Sequence, residues 1–267
     1  MAFFSFIGSG KVGWALRSKQ APGTRCALEH GGAAPVLVAA DADLDVMLPL
    51  LVKGGFYHAG QVCVSVQRVY AQRAIARQLT ERLAKSASAL VVGNPANPAT
   101  EVGSLIRHEE VDRIEAWVEE AIAEGAELLT GGERISDSLY RPTVLFNPAD
   151  ASKVSCQEQF GPIVCVYEYD TLDAAIARAN ALPYAFQAAV MTGSIDTALY
   201  AFRHLQAAAV MVNDHTAFRV DWMPFAGLKE SGYGTGGIPY TFRDMQIEIW
   251  PFFIPMLCDL LLNKRMR

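Results

Sequence analysis

An α/β fold with a mostly parallel sheet is predicted from two features of the chain. Short apolar runs alternate with segments of helical period, and no repeat, low-complexity tract or long polar linker interrupts the alternation. The 267 residues, at roughly 150 per domain, amount to about 1.8 domains, meaning two lobes or one large one with a sizeable core.

The elements follow in order. Phe3–Ile7 reads as a short buried strand, then Gly8-Ser9-Gly10 leads into a helix from Lys11. Residues 35–39 (PVLVA) form a second strand, and Asp43 caps a helix running through Met47, Leu50 and Leu51. Residues 67–71 are strand-like. Residues 74–90 place Ile75, Leu79, Leu83 and Leu90 at helical spacing, and residues 111–124 repeat the signature with Ile114, Val118 and Ile122. Strands at Thr143–Phe146 and Ile163–Tyr169 precede a helix at 173–181, a strand at 188–192, a helix at 195–205 and a strand at 208–212. Ligands of parallel sheets sit beyond the carboxyl ends of the strands, so chemistry is expected in the loops around Cys63, Glu158 and Asn213.

Composition excludes several classes. At 51% hydrophobic and 19% charged residues, neither disorder nor a coiled coil fits. Lys and Arg number 23 against 28 Asp and Glu, a formal charge of −5, so no basic surplus addresses nucleic acid or an anionic membrane. The Cys residues, at 26, 63, 156, 165 and 258, form no C-x-x-C and no Cys/His cluster with zinc spacing. No metal and no disulfide scaffold is expected, and a reducing cytoplasm is the default setting. The start, MAFFSFIGSGKVG, lacks a signal-peptide pattern. The run WPFFIPMLCDLLL at 250–262 falls short of the ~20 apolar residues that cross a bilayer. It reads as a packed or partner-facing tail.

Two segments carry chemistry. Gly8-Ser9-Gly10-Lys11-Val12-Gly13 matches G-x-G-x-x-G between a strand and a helix, and the helix N-terminus can hold a phosphate. Three glycines also serve simply to make a turn. Glu29 follows at the distance of a ribose-binding acid, with a solvated loop acid before a strand as the alternative. Gly60-Gln61-Val62-Cys63 closes a helical segment ahead of a strand. A nucleophilic thiol needs access, thiolate character and oxyanion donors, and Cys63 alone has polar and glycine neighbours suited to that. The other four cysteines read as small buried hydrophobes.

These residues and three further segments resemble the aldehyde dehydrogenase superfamily over nearly the whole chain. Phe6-Ile7-Gly8-Ser9 with Val12-Gly13 is similar to its cofactor turn, and Leu28-Glu29-His30-Gly31-Gly32 to the segment that holds its general base. Gly60-Gln61-Val62-Cys63 with Arg68-Val69 resembles its nucleophile motif. Glu158-Gln159-Phe160-Gly161-Pro162 resembles the segment whose Glu holds the nicotinamide ribose and whose Phe lies beside the nicotinamide. Asn213 and the stretch Pro224-Phe225-Ala226-Gly227 through Gly232 complete the series. The resemblance hands the ribose to Glu158 and makes Glu29 the base, a more specific context than spacing alone.

The fold implied is aldehyde dehydrogenase-like: a partial Rossmann-type cofactor lobe followed by a mostly parallel α/β catalytic domain. The implied division is 1–33, remnant of the cofactor domain; 34–232, catalytic domain; and 233–267, a return segment with an atypical apolar tail. The implied chemistry is NAD- or NADP-dependent oxidation of an aldehyde through a Cys63 thiohemiacetal and thioester, with Glu29 as base. Gly8, Ser9, Gly13, Glu158 and Phe160 are the implied cofactor residues, and Asn213, Arg219 and Phe225 the substrate-pocket candidates. Arg219 could pair with a carboxylate or phosphonate on the aldehyde, or be an ordinary surface arginine paired with Asp214 or Asp221.

The chain departs from the family pattern. It begins at the strand before the glycine turn, without the upstream half of the cofactor domain, its oxyanion amide and its ribose lysine. His30 and Ala33 replace the usual Leu and Lys, and Ala226 stands where a second Gly is common. Half a cofactor lobe implies open sheet edges, hence a homo-oligomer or association with another chain. The alternatives to an active oxidoreductase are a non-oxidative remnant with weak thiol-esterase activity and a structural or regulatory partner of a longer homologue.

Overall fold

The computed structural model describes residues 2–252. The apolar tail beyond Phe252, with Cys258, lies outside the described residues. Twelve strands and eight helices are arranged there as β1 (Phe3–Ile7), α1 (Gly10–Ser18), β2 (Arg25–Glu29), β3 (Ala34–Val38), α2 (Leu44–Phe56), β4 (Val66–Gln72), α3 (Arg73–Ser88), α4 (His108–Ala123), β5 (Glu127–Thr130), β6 (Thr143–Phe146), α5 (Lys153–Cys156), β7 (Ile163–Tyr169), α6 (Leu172–Asn180), β8 (Tyr184–Ala185), β9 (Gln187–Met191), α7 (Ile195–His204), β10 (Ala209–Val212), β11 (Leu228–Lys229), β12 (Gly232–Tyr233) and α8 (Ile238–Met245).

The main sheet has seven strands in the order β10-β9-β3-β4-β7-β6-β5. Every pair in it is parallel except β5 with β6. Its central strands are nearly continuous apolar runs because helices cover the sheet: all of β7 is buried except Glu168. Helices α2 and α3 pack together on this sheet, as do α6 and α7. Asp43 caps α2 as its sequence indicates, accepting from the Asp45 and Val46 N–H groups. Leu79, Leu83 and Ala87 of α3 face the core, while Arg77 pairs outward with Glu81 and Glu127.

A second, small sheet has the order β1-β2-β12, with β1 and β2 parallel and β12 antiparallel to β2. Strand β2 was not expected from sequence. Its composition, RCALE, is short and carries a charge at each end, so no alternation marks it. Glu29 therefore ends a strand rather than standing in a loop.

The position of the chemistry along the strands also differs from expectation. Cys63 precedes β4, Glu158 precedes β7 and the Gly31-Gly32 pair precedes β3, so the main sheet presents its amino ends to the site. The small sheet presents its carboxyl ends, Ile7 and Glu29. The carboxyl-end rule thus holds for one sheet and is reversed for the other.

Candidate active site

Cys63 sits in a turn between the end of α2 and the start of β4. The chain reaches it through His58, Ala59 and Gly60, three successive residues with φ of 50°, 54° and 70°. Two of them carry side chains, so backbone strain is concentrated directly before the thiol. Position 60 must be glycine, since a Cβ there would lie 2.0 Å from the Gly161 carbonyl oxygen. Gln61 fastens the loop by donating to the His58 and Ser104 carbonyls and accepting from the Ile106 N–H. Thr216 donates to the Val64 carbonyl at 2.6 Å.

The thiol is half-buried beside Val62, Val64, Ala217 and the tilted pair Phe186–Phe225, whose ring centroids are 4.6 Å apart. Burial, and after it the Glu158 and Glu29 carboxylates, push its pKa up to about 11 against the opposing effect of its own N–H and Arg219. The resting group is a neutral thiol that needs a base. The Cys63 N–H beside its own sulfur is placed to donate to an oxyanion.

Glu29 is half-buried, and burial raises its pKa against a smaller lowering by Arg219. Its carboxyl lies against Gly236, where a Cβ would fall 1.8 Å from Oε1. Gly236 in turn exchanges two backbone hydrogen bonds, of 2.7 and 3.1 Å, with Phe225. The glycine run 232–237 could have signalled this packing and was passed over in sequence.

Glu158 has its pKa raised to about 7, chiefly by burial, with the Gly32 N–H and Arg113 favouring the ionised form. Arg113 was not foreseen. It also donates to the Gln159 carbonyl at 2.7 Å, holding the loop that carries Glu158. Glu158 Oε1 is buried with no protein partner. It leaves no space for a side chain at Gly31, where a Cβ would fall 1.7 Å away. Phe160, at φ 49°, projects into solvent on the same loop.

Ser9 caps α1 in extended conformation without a side-chain capping bond. A cavity of about 660 Å³ opens between this helix start and Glu158, lined by Ser9, Gly10, Lys11, His30, Gly31 and Tyr184 among others. Gly8 donates its N–H to the Glu29 carbonyl, and buried Gly13 packs against His30. A cavity of this size, with a helix N-terminus at one end and an unpartnered carboxyl oxygen at the other, fits a phosphate-bearing ribonucleotide.

The three pocket candidates separate. Phe225 is buried at the Cys63 cluster. Arg219 lies with its guanidinium 4.4 Å from the Phe225 ring centroid, and its charge acts on both Cys63 and Glu29. It makes no ion pair with Asp214 or Asp221 among the described residues. Asn213 is not brought to this group. It follows β10, at the carboxyl end of the main sheet, and its amide is spent on the Thr192 N–H and carbonyl at 2.9 and 3.0 Å. The neighbouring His215 is buried against Gly54.

Of the remaining cysteines, Cys26 and Cys165 are buried as expected, but Cys156 is only partly so. No group of three or more metal-ligating side chains occurs among the described residues. No helix among them is long and apolar enough to cross a membrane.

Comparison with known proteins places this geometry in context. The profile of the aldehyde dehydrogenase family matches residues 1–248. A 3-sulfolactaldehyde dehydrogenase of Priestia megaterium is 40% identical over 245 residues, covering 92% of this chain and 51% of that protein. The structure of glyceraldehyde-3-phosphate dehydrogenase GapN from Methanocaldococcus jannaschii, complexed with NADP, superposes with a TM-score of 0.88 at 38% identity, over 92% of this chain and 53% of that one. Aldehyde dehydrogenase 21 from Physcomitrella patens, in complex with the reaction product succinate, gives 0.88 at 35% identity, over 92% and 51%. The chain spans about half the length of the relatives it matches.

Proposed function

This chain belongs to the aldehyde dehydrogenase family, and we propose that it oxidises a small aldehyde to a carboxylic acid with NAD or NADP as acceptor. The observation that carries the reading is the Cys63 cluster with Phe186 and Phe225, over which Arg219 stands, in the field of the Glu158 and Glu29 carboxylates.

Cys63 passes its proton to Glu29 and attacks the aldehyde carbon, and the Cys63 N–H donates to the oxygen that becomes negative. The raised pKa of Glu29 suits it to accept that proton, because a carboxylate held above its ordinary range is the stronger base. An oxidised nicotinamide supplies, when bound, the acceptor for the hydride leaving the thiohemiacetal carbon. Gly8, Ser9, Gly13, Glu158 and Phe160 are the residues that would hold it. Glu29 releases the first proton to solvent and then takes one from a water that attacks the Cys63 thioester; the departing thiolate recovers that proton and the thiol is regenerated.

Arg219 favours an aldehyde that carries an anionic group. Among the described residues its fork makes no ion pair, and it stands over Phe225 of the Cys63 cluster. Relatives that act on 3-sulfolactaldehyde or hold succinate as product fit the same expectation. Arg219→Met is expected to raise KM for an anionic aldehyde by about 10- to 100-fold more than for a neutral one, the worth of a charge-assisted hydrogen bond.

The proposed organisation assigns 1–33 to cofactor binding, 34–232 to catalysis and 233–267 to a return segment, in a cytoplasmic protein. Self-association is supported by exposed apolar residues on α7 and α8, among them Phe202, Ile238 and Phe242. The direct test follows reduced-nicotinamide absorbance with anionic and neutral aldehydes in wild type and Cys63→Ala. Formation that persists in the variant would overturn the reading.

A further inference from the structure

Arg68 is 3% exposed, on β4, five residues after the nucleophile candidate. Its hydrogen bonds all go to uncharged acceptors. Nε donates to the Ala33 carbonyl at 2.9 Å, Nη1 to the Tyr70 hydroxyl at 3.0 Å and the Arg178 carbonyl at 3.3 Å, and Nη2 to the Ala179 carbonyl at 3.1 Å. A buried cation without a carboxylate is costly, and an apolar side chain of like volume would pack there at less expense. Part of the cost is offset at the last turn of α6, whose terminal carbonyls form the negative end of the helix.

What distinguishes these acceptors is where they belong. Ala33 ends the strap that runs from Glu29 through the Gly31-Gly32 pair into β3. Ala33 and Ala179 both line the narrow cavity that also contains Cys63, Tyr184 and Phe186. The planar fork of one guanidinium therefore spans two walls of the Cys63 cavity from behind, and one of those walls carries Glu29. Lysine, a single point donor, cannot reach both.

We propose that Arg68 is a positioning residue for the Cys63–Glu29 pair, setting the distance of the Glu29–Ala33 strap from the thiol by tying Ala33 to the end of α6. The proposal rests on the reading of Cys63 as nucleophile and Glu29 as base. Arg68 touches neither reacting atom and acts through main-chain carbonyls.

The test uses Arg68→Lys and Arg68→Met in the full chain, with two readouts that need no cofactor. The charged groups facing the thiol are Glu158, Glu29 and Arg219. Freeing the strap takes the Glu29 carboxylate away and admits water, so the Cys63 alkylation profile moves to lower pH. Iodoacetamide labelling of Cys63 at about pH 8 is expected to rise ~10-fold, one pH unit's worth of thiolate. Hydrogen exchange at the Gly32 amide, which bonds Glu158, is expected to speed up by a similar factor. Cys165, fully buried in the main core, reports folding by staying unlabelled. Should Arg68→Met expose it, Arg68→Lys decides. Tyr70→Phe removes one acceptor without touching the strap and is expected to leave both readouts unchanged. Wild-type alkylation and exchange in the folded Arg68 variants would overturn the proposal. Equal nitrophenyl-ester hydrolysis by wild type and Cys63→Ala would instead overturn the nucleophile reading, with the Arg68 readouts still standing.

Discussion

The two sheets approach the site from opposite ends of their strands and in opposite states of burial. The main sheet holds Cys63 at its amino end, on strands whose core residues Leu145, Val164 and Val166 are wholly buried. The small sheet holds Glu29 at its carboxyl end, on a β1–β2 pair whose outer edge has no strand partner among the described residues and whose β1 is half-exposed. The Cys63 thiol is thus anchored in a thick layer and the Glu29 carboxyl in a thin one. Groups that join the layers, such as the Gly32 N–H that bonds Glu158, decide whether the pair meets at bonding distance.

The largest effect that would sharpen this comparison is on turnover. Glu29→Gln is expected to lower aldehyde oxidation by about 10²- to 10⁴-fold, the usual range for a removed general base, while iodoacetamide still labels Cys63. A loss of less than about threefold, measured by steady-state kinetics, would break the division of labour between the sheets.

The next effect is on stability. Leu145→Ala in the main sheet is expected to cost ~2–5 kcal/mol through a buried cavity, and Phe4→Ala on half-exposed β1 about 1 kcal/mol or less. Urea unfolding of both variants measures the contrast. Equal costs would mean that the small sheet is as firmly packed as the large one.

The smallest effect is a pH dependence at Glu158. Its folded pKa, about 7, lies above the ordinary 4.5, so between those values the native state holds a proton that the unfolded chain releases. Stability from this group therefore falls as pH rises through that window, and the loss is complete above about 7. Glu158→Gln is expected to flatten the difference between urea midpoints measured near pH 5 and near pH 8. An unchanged difference would show that the carboxyl is better solvated than its surroundings indicate.

The main sheet was legible in sequence because its strands are long apolar runs between amphipathic helices. Of its strands, Thr143–Phe146 and Ile163–Tyr169 match the sequence reading to the residue and β5 is missed, while Phe3–Ile7 of the small sheet matches in its bounds but is half-exposed rather than buried. Strands β2 and β12 were not legible, since each is completed by partners distant in the chain: Gly232 pairs with Glu29 across some two hundred positions. Cys63, Glu29 and Glu158 could be singled out because glycines beside them mark tight backbone. The free, stacked state of Arg219, the diversion of Asn213 to Thr192 and the reach of Arg113 could not, because side-chain partners follow from tertiary packing alone. The end of the main sheet that carries the site was also hidden. Strand pattern fixes which residues are buried and says nothing of which loop a second sheet will meet.

The contact between Gly13 and His30 constrains how this sequence can change. A Cβ at position 13 would fall 2.0 Å from Nε2 of His30, a ring that is 4% exposed and held at Nδ1 by the Glu230 carbonyl. The imidazole occupies the volume that any side chain on that face of α1 would need. The two positions are therefore epistatic: alanine at 13 is open to the lineage only after position 30 has shrunk, and the reverse order passes through a clash.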